Sequence, residues 1–313
     1  MGSLGSTLIS AGTALVAGMF LAATGLLQQR AASKQPSGDR FSLRMIVNLA
    51  RNRRWLAGIG AAVGSYVFQA VALATGPLSL VQPLVVSELV FAIPISVRWH
   101  RSRLGRREWA GLLTVTGGLA IGIVAADPHR GHPLQPFSSW IWALAGVAAV
   151  ATAAVLVGKA ICGPARASLF ALGGATVMAL QSALFAATIA LLRHNIGHTF
   201  LTWQPYALIV ASFIGMFLVQ NAYQAGPLAA SMPVMDAMLP MVSIGLGIGI
   251  FGEYVRTTVL GLTGAALGIV LLVTGIIMLD TSPVIRRHQR QERRRRDENA
   301  SGDPVAASAP GAC

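Results

Sequence analysis

Charge is what this chain has least of. Only 11% of its 313 residues are Asp, Glu, Lys or Arg, against 54% hydrophobic, whereas a soluble domain carries roughly 25% charged residues. Surface-to-volume scaling leaves too few polar residues to cover so apolar a core in water, so the solvent is the bilayer. Cysteine is confined to Cys162 and Cys313, which excludes a disulfide framework. Lysine is nearly missing: 22 of the 24 basic residues are arginine, the usage of a GC-rich bacterial genome. No Walker or other nucleotide motif occurs. A net charge of +13 would suggest nucleic acid in a soluble protein, but here the charges sit between apolar blocks and in the tail, the pattern of membrane orientation.

A helix needs about 20 apolar residues to cross a hydrocarbon core roughly 30 Å thick. Nine segments qualify: Leu8–Leu27, Trp55–Leu73, Leu78–Val97, Trp109–Ala126, Trp140–Val157, Leu169–Leu192, Pro205–Tyr223, Leu228–Phe251 and Thr257–Leu279. The first lacks a basic n-region and is too long for a signal-peptide h-region, so it reads as a span. Scored for Lys plus Arg, the connections on one side hold 21 and those on the other hold 3. The positive-inside rule then puts the amino terminus outside and the carboxyl terminus in the cytoplasm of a plasma (inner) membrane. Phe41–Ala50 is amphipathic and too short to cross, and it reads as an interfacial helix on the inner leaflet. The tail from 280 to 313, with Arg286, Arg287, Arg290 and Arg293–Arg296, is expected to be disordered and to touch anionic inner-leaflet lipid.

Sliding the sequence by 150 residues exposes a repeat. Gly76-Pro77-Leu78 matches Gly226-Pro227-Leu228, Pro83 matches Pro233, Gly111 matches Gly261 and Gly118 matches Gly268. Spans 2–4 thus correspond to 7–9, span 1 to span 6, and span 5 is an unpaired connector. Equivalent spans are five apart, an odd number, so the halves run in opposite directions. The expected fold is all-α: nine transmembrane helices in two inverted four-helix repeats joined by a connector helix. The boundaries are 1–126 for the first repeat (with a cytoplasmic loop at 30–54), 127–166 for the linker and connector, and 167–279 for the second repeat. Inverted repeats are the architecture of many secondary transporters, with the site at the repeat interface near the midplane.

Several segments carry a family resemblance. Gln28-Gln29-Arg30 closes the first span. Phe68-Gln69-Ala70 precedes Gly76-Pro77-Leu78-Ser79-Leu80-Val81-Gln82-Pro83, and Phe251-Gly252-Glu253 stands before the glycine-rich last span. In these the chain resembles the drug/metabolite transporter superfamily over its whole membrane region, the last motif resembling the loop that closes each repeat of EamA-type members. A split of four, one and four spans is similar to the NIPA-type magnesium transporters. The resemblance implies transport of small molecules across the plasma membrane without ATP hydrolysis. The first half departs from the pattern, with Arg103 and Gly105-Arg106-Arg107-Glu108 where a plain Gly-Glu is expected.

Of 11 acidic residues, only Glu88 and Asp236 fall within spans. At 1.5 Å per residue they lie roughly 15 Å and 12 Å deep from opposite faces, near the midplane of equivalent spans. An ionisable group in hydrocarbon costs roughly 3 kcal/mol or more, so it faces a cavity or a partner and marks a pathway; a protonated acid bonded to a neighbouring helix is the alternative. Pro233, Pro240, Ser243 and Gly247 share the face of Asp236, a polar stripe suited to a cavity wall. Leu84, Val85, Phe91 and Ala92 make the surround of Glu88 apolar, which suits a proton carrier. Gln69, Gln220 and Asn221 lie at comparable depths and either bond substrate or join helices. Pro83, Pro94, Pro233 and Pro240 free backbone carbonyls. The glycine pairs 60/64, Gly118/Gly122 and Gly264/Gly268 read as close helix packing. His129, His132, His194 and His198 read as ordinary loop residues, and neither a cofactor nor a resident metal is expected.

The leading reading is a secondary transporter for a small solute or a cation, linked to protons through these acids. The alternative is a non-transporting membrane scaffold or accessory protein, which has no need of inverted symmetry. An intramembrane enzyme would need more than two lone carboxylates. The expected partners are a small-molecule or cation substrate and the lipid bilayer, with no nucleic acid; a second copy of the chain, as a homodimer, is compatible with this.

Overall fold

A computed structural model describes residues 2–32, 53–99, 105–161, 163–226 and 228–280. They form α1 (Gly2–Ala32), α2 (Arg53–Thr75), α3 (Leu78–Val85), α4 (Glu88–Trp99), α5 (Arg106–Ala126), α6 (Phe137–Ala160), α7 (Pro164–His194), α8 (Ile196–Thr199), α9 (Gln204–Ala225), α10 (Leu228–Phe251) and α11 (Val259–Asp280). Among the described residues there is no strand, and nine helical segments are long and apolar enough to cross a membrane. The protein is a multi-pass helical membrane protein. The interfacial segment 41–50, the tail beyond Asp280 and Pro227 lie outside the described residues.

Proline and glycine set the joints. Pro77, extended at φ −75° and ψ 153°, caps α3 where α2 stops, because the residue before a proline is pushed out of the helical region. Pro136 stands in the same way before α6. Gly163 adopts φ +85° ahead of Pro164, the first residue of α7, a conformation open to glycine without strain.

Two expectations need correcting. The third span is not one continuous helix: it divides into α3 and α4 at Val86–Ser87. There the hydrogen bonds tighten to the i→i−3 pattern, from Ser87 N to Leu84 O (3.0 Å), Leu89 N to Val86 O (3.1 Å) and Val90 N to Ser87 O (2.9 Å). Pro83 has already removed one donor a turn earlier. Glu88 therefore opens a helix instead of lying within one. The sixth span also starts earlier, at Pro164 in place of Leu169; the polar Arg166 hid this turn, and its guanidinium lies 5.5 Å from the Phe170 ring centroid.

The long α7 is the centre of the bundle, packed against α2, α3, α6, α9 and α10. Small residues let its neighbours approach: Gly173 lies on Ala151 of α6, and Gly174 lies on Val219 of α9. Elsewhere α1 packs on α2, α3 and α4, α3 packs on α10, and α5 packs along α11. That last contact runs backbone to backbone. A Cβ on Gly268 would stand 2.4 Å from Gly122 Cα and 2.8 Å from Gly118 O, and one on Gly264 would stand 2.6 Å from Ala125 Cβ. Gly64 packs on the Phe20 ring, while Gly60 faces open space.

Candidate functional site

The α2–α3 joint is held by charges from three distant segments. Glu253, 4% exposed, accepts hydrogen bonds from Leu78 N (2.6 Å, Oε1) and Ser79 N (2.9 Å, Oε2). These are free amides at the start of α3, where the helix dipole favours an anion. Arg130 Nη2 donates to Leu73 O at 3.0 Å, and Arg193 donates to Ala74 O, so two cations satisfy carbonyls at the end of α2. Glu253 lies in the 252–258 loop, outside the spans. Burial pushes its carboxyl pKa above the ordinary value, opposed by the Ser79 hydroxyl, by the Ser79 and Leu78 amides, and by Arg130. Gly76 makes the joint tight, since a Cβ there would overlap the Ser10 side chain of α1.

The same end of the bundle is zipped by main-chain bonds between the loop after α5 and the loop after α10. His129 N donates to Tyr254 O (2.9 Å), His132 N to Phe251 O (2.8 Å) and Arg256 N to Ala126 O (2.7 Å). His129 and Tyr254 stack with ring centroids 4.9 Å apart, and Arg256 pairs with Asp127 at 2.7 Å. Gly131 passes so close to Phe251 O that no side chain fits there.

Beneath this zipper lies a half-open pocket of about 180 Å³ lined by α3, α5, α10 and α11 and by Pro128 and Val255 of the two loops. Pro83 of α3, Ile123 of α5, Met241 and Ile244 of α10 and Leu272 of α11 form its walls, and Ser79 is the polar side chain among the lining residues. On α10 the lining positions Ala237, Pro240, Met241, Ile244 and Ile248 repeat at helical spacing and make one face.

Of the sequence-predicted pathway residues, Glu88, Asp236, Gln69, Gln220, Asn221 and Ser243, none lines this pocket. Asp236 precedes the lining residue Ala237, turned about a quarter of a circle from the lining face. Ser243 is fully buried on the same side of α10, and its hydroxyl has no hydrogen-bond partner. Glu88 begins α4 beside α1, where a Cβ on Gly18 would sit 3.2 Å from Glu88 N and 2.9 Å from Ser87 Oγ. Gln69 is half-buried on α2 and Gln220 is exposed on α9. Asn221 is turned to its own helix, its amide donating to Phe217 O at 2.7 Å. Gly118, Gly122, Gly268, Pro83 and Pro240 do line the cavity, and Pro233 lies one turn before Ala237. Gly226 packs on Ala167. Among the described residues no three His, Cys, Asp or Glu side chains gather as metal ligands would.

Sequence reasoning missed Gln82, 1% exposed on α3 with its Nε2 unpaired, and the roles of Glu253, Arg130 and Arg193. A signal for the arginines was present. Arg130, Arg193 and Arg256 are the three basic residues on the side that otherwise avoids them, and each of them is held by a specific acceptor.

An uncharacterized protein of Corynebacterium glutamicum is 31% identical to the chain over 271 residues, which cover 86% of this chain and 92% of that protein. The chain belongs to that protein's family. No family model matches the chain, and no solved structure matches it.

Proposed function

We propose that the protein is a secondary transporter in which two inverted four-helix halves give alternating access to a site between them. The observation that carries this reading is the pocket at the crossing of α3, α5, α10 and α11, helices of the spans that the 150-residue repeat pairs, span 3 with span 8 (α3 with α10) and span 4 with span 9 (α5 with α11). The packing supports it. Helix α1 lies against α2 as α7 lies against α9, and α1 against α3–α4 as α7 against α10, while α5–α11 and α3–α10 join equivalent members. The division at Val86–Ser87 fits too, because transporter sites use discontinuous helices.

With the carboxyl terminus cytoplasmic, as the 21-to-3 basic split requires, the Glu253 joint and the loop zipper close the external end. In this reading they are the outer gate, and substrate reaches the cavity when α3 swings away from the 252–258 loop. Glu88 and Asp236 are the groups through which proton movement would be coupled.

The test is flux in proteoliposomes, with candidates first chosen by a thermal-shift screen across divalent cations, amino acids and lipophilic compounds. Glu88→Gln is expected to abolish the pH dependence of accumulation, and Asp236→Asn to lower apparent affinity. A protein inert to every class, and without flux, is the scaffold of the alternative reading. Unchanged gradient dependence in both variants would remove the acids from the mechanism.

A further inference from the structure

A buried carboxylate ordinarily lies against a counter-ion, because neutral donors recover only part of what the charge loses on leaving water. Glu253 is buried without one. Its direct partners are two neutral amides, Leu78 N and Ser79 N. Arg130 and Arg193 are bonded to the carbonyls of Leu73 and Ala74, and among the described residues neither forms an ion pair with Glu253. The elements packed around it supply no closer charge. Helix α3 contains no titratable residue, and α10 presents Gly247. The end of α7 presents Arg193, which acts on Arg130. In the two loops Asp127 is tied to Arg256 and His129 is stacked on Tyr254, while His132 is held through its amide by Phe251 O. A small half-open cleft walled by Leu73, Leu78, Arg130, Gly131, Pro133 and Glu253 gives the carboxyl group a way to exchange protons with outside water.

We infer, on the transport reading above, that Glu253 is the proton site of the outer gate: the gate closes with a proton on this carboxyl group and opens when the proton leaves. The proton comes from external water through the cleft, rests on one carboxyl oxygen and returns by the same way. The other oxygen still accepts an amide, and the Ser79 hydroxyl, with no other partner, stands ready to accept the new O–H. The sign follows from burial. With the gate closed, burial raises the carboxyl pKa above the ordinary 4.5; with α3 swung away the group returns to water and to that ordinary value. Protonation therefore favours the closed gate, in the window between 4.5 and the raised value, by up to about tenfold per pH unit.

The experiment uses the full chain in phospholipid nanodiscs, where both faces are open to reagent, with Cys162 and Cys313 replaced by serine. Leu78→Cys reports opening: the position is 1% exposed and lines the cleft. Its rate with a charged methanethiosulfonate is divided by that of Leu134→Cys, in the exposed loop, which removes the pH dependence of the thiol reaction itself. Ala186→Cys, 7% exposed in the same cleft, replaces Leu78→Cys if that variant does not fold. Expected is a relative rate that falls roughly tenfold from pH 8 to pH 5. Glu253→Gln, fixed in the neutral form, should label slowly at both values, and Glu253→Ala, without the grip, should label fast at both. A paired His129→Gln and His132→Gln variant should keep the wild-type response. Labelling that speeds up on acidification, a response that survives in Glu253→Gln, or one lost with the two histidines overturns the inference. A gate that titrates in this way in a protein without flux would defeat the transport reading and leave the proton site standing. Flux with labelling indifferent to pH would do the reverse.

Discussion

Removing the Glu253 carboxylate should loosen this end of the bundle measurably. In Glu253→Ala the amides of Leu78 and Ser79 lose their acceptor, and both residues are buried, at 1% and 6% exposure, so water does not replace it. An unsatisfied buried donor costs about 1–3 kcal/mol. Two of them, less whatever the joint regains by relaxing, come to about 3 kcal/mol. At roughly 2–4 °C per kcal/mol for chains of this order, the melting temperature of the detergent-solubilised protein, followed by tryptophan fluorescence, falls by about 6–12 °C. Glu253→Gln keeps one acceptor oxygen and should recover about half the loss. Gly247→Ala is an independent route to the same defect, since its Cβ would stand 2.4 Å from Glu253 Oε2. The sign of the pH dependence follows from burial. The folded carboxyl pKa is raised above the ordinary 4.5, so in the window between them the native state binds the proton and the unfolded state does not. The contribution of that raised pKa is fully present below 4.5 and is lost as pH rises through the folded value. The melting gap between wild type and Glu253→Ala should therefore widen as pH is lowered from 7 towards 4.5. Alanine and wild-type proteins melting within about 1 °C of each other at all pH values would refute the reasoning.

Gly268→Ala drives a methyl into Gly122 Cα at 2.4 Å, and overpacking of this kind costs about 1–3 kcal/mol; the same thermal assay should show destabilisation, with Gly60→Ala, which faces open space, as the silent control. Gln82→Leu removes an unpaired buried amide nitrogen for similar volume and should leave stability equal or raise it by about 1 kcal/mol; a loss of flux without a loss of stability would mark Gln82 as a substrate contact. A phosphatase fused after residue 280 should be inactive and a fluorescent protein bright, and the opposite pair of results would invert the topology.

Composition and apolar run length made the helical membrane class and the nine spans legible, because bilayer thickness imposes one length on every crossing. The division of the third span was not legible. Pro83 was visible, but a tightened turn at Val86–Ser87 depends on how α3 and α4 lean on α10 and α1, a tertiary fact. Glu88 and Asp236 were found because charge in hydrocarbon is rare, yet rarity does not say which way a side chain turns on its helix. The Glu253 joint was hidden for a different reason: a carboxylate in a loop resembles any surface acid until its partners, 175 and 174 positions away, are known.

Glu253, Arg130 and Arg193 all grip main-chain amides and carbonyls. Every amino acid except proline presents the same amide, and all present the same carbonyl, so positions 73, 74, 78 and 79 are free to drift under these grips so long as the helices and their packing survive. Paired substitutions, the usual trace of a contact in aligned sequences, should therefore be missing at the very place where the two halves of the chain are tied together. A contact map inferred from co-variation alone would leave that end of the bundle open.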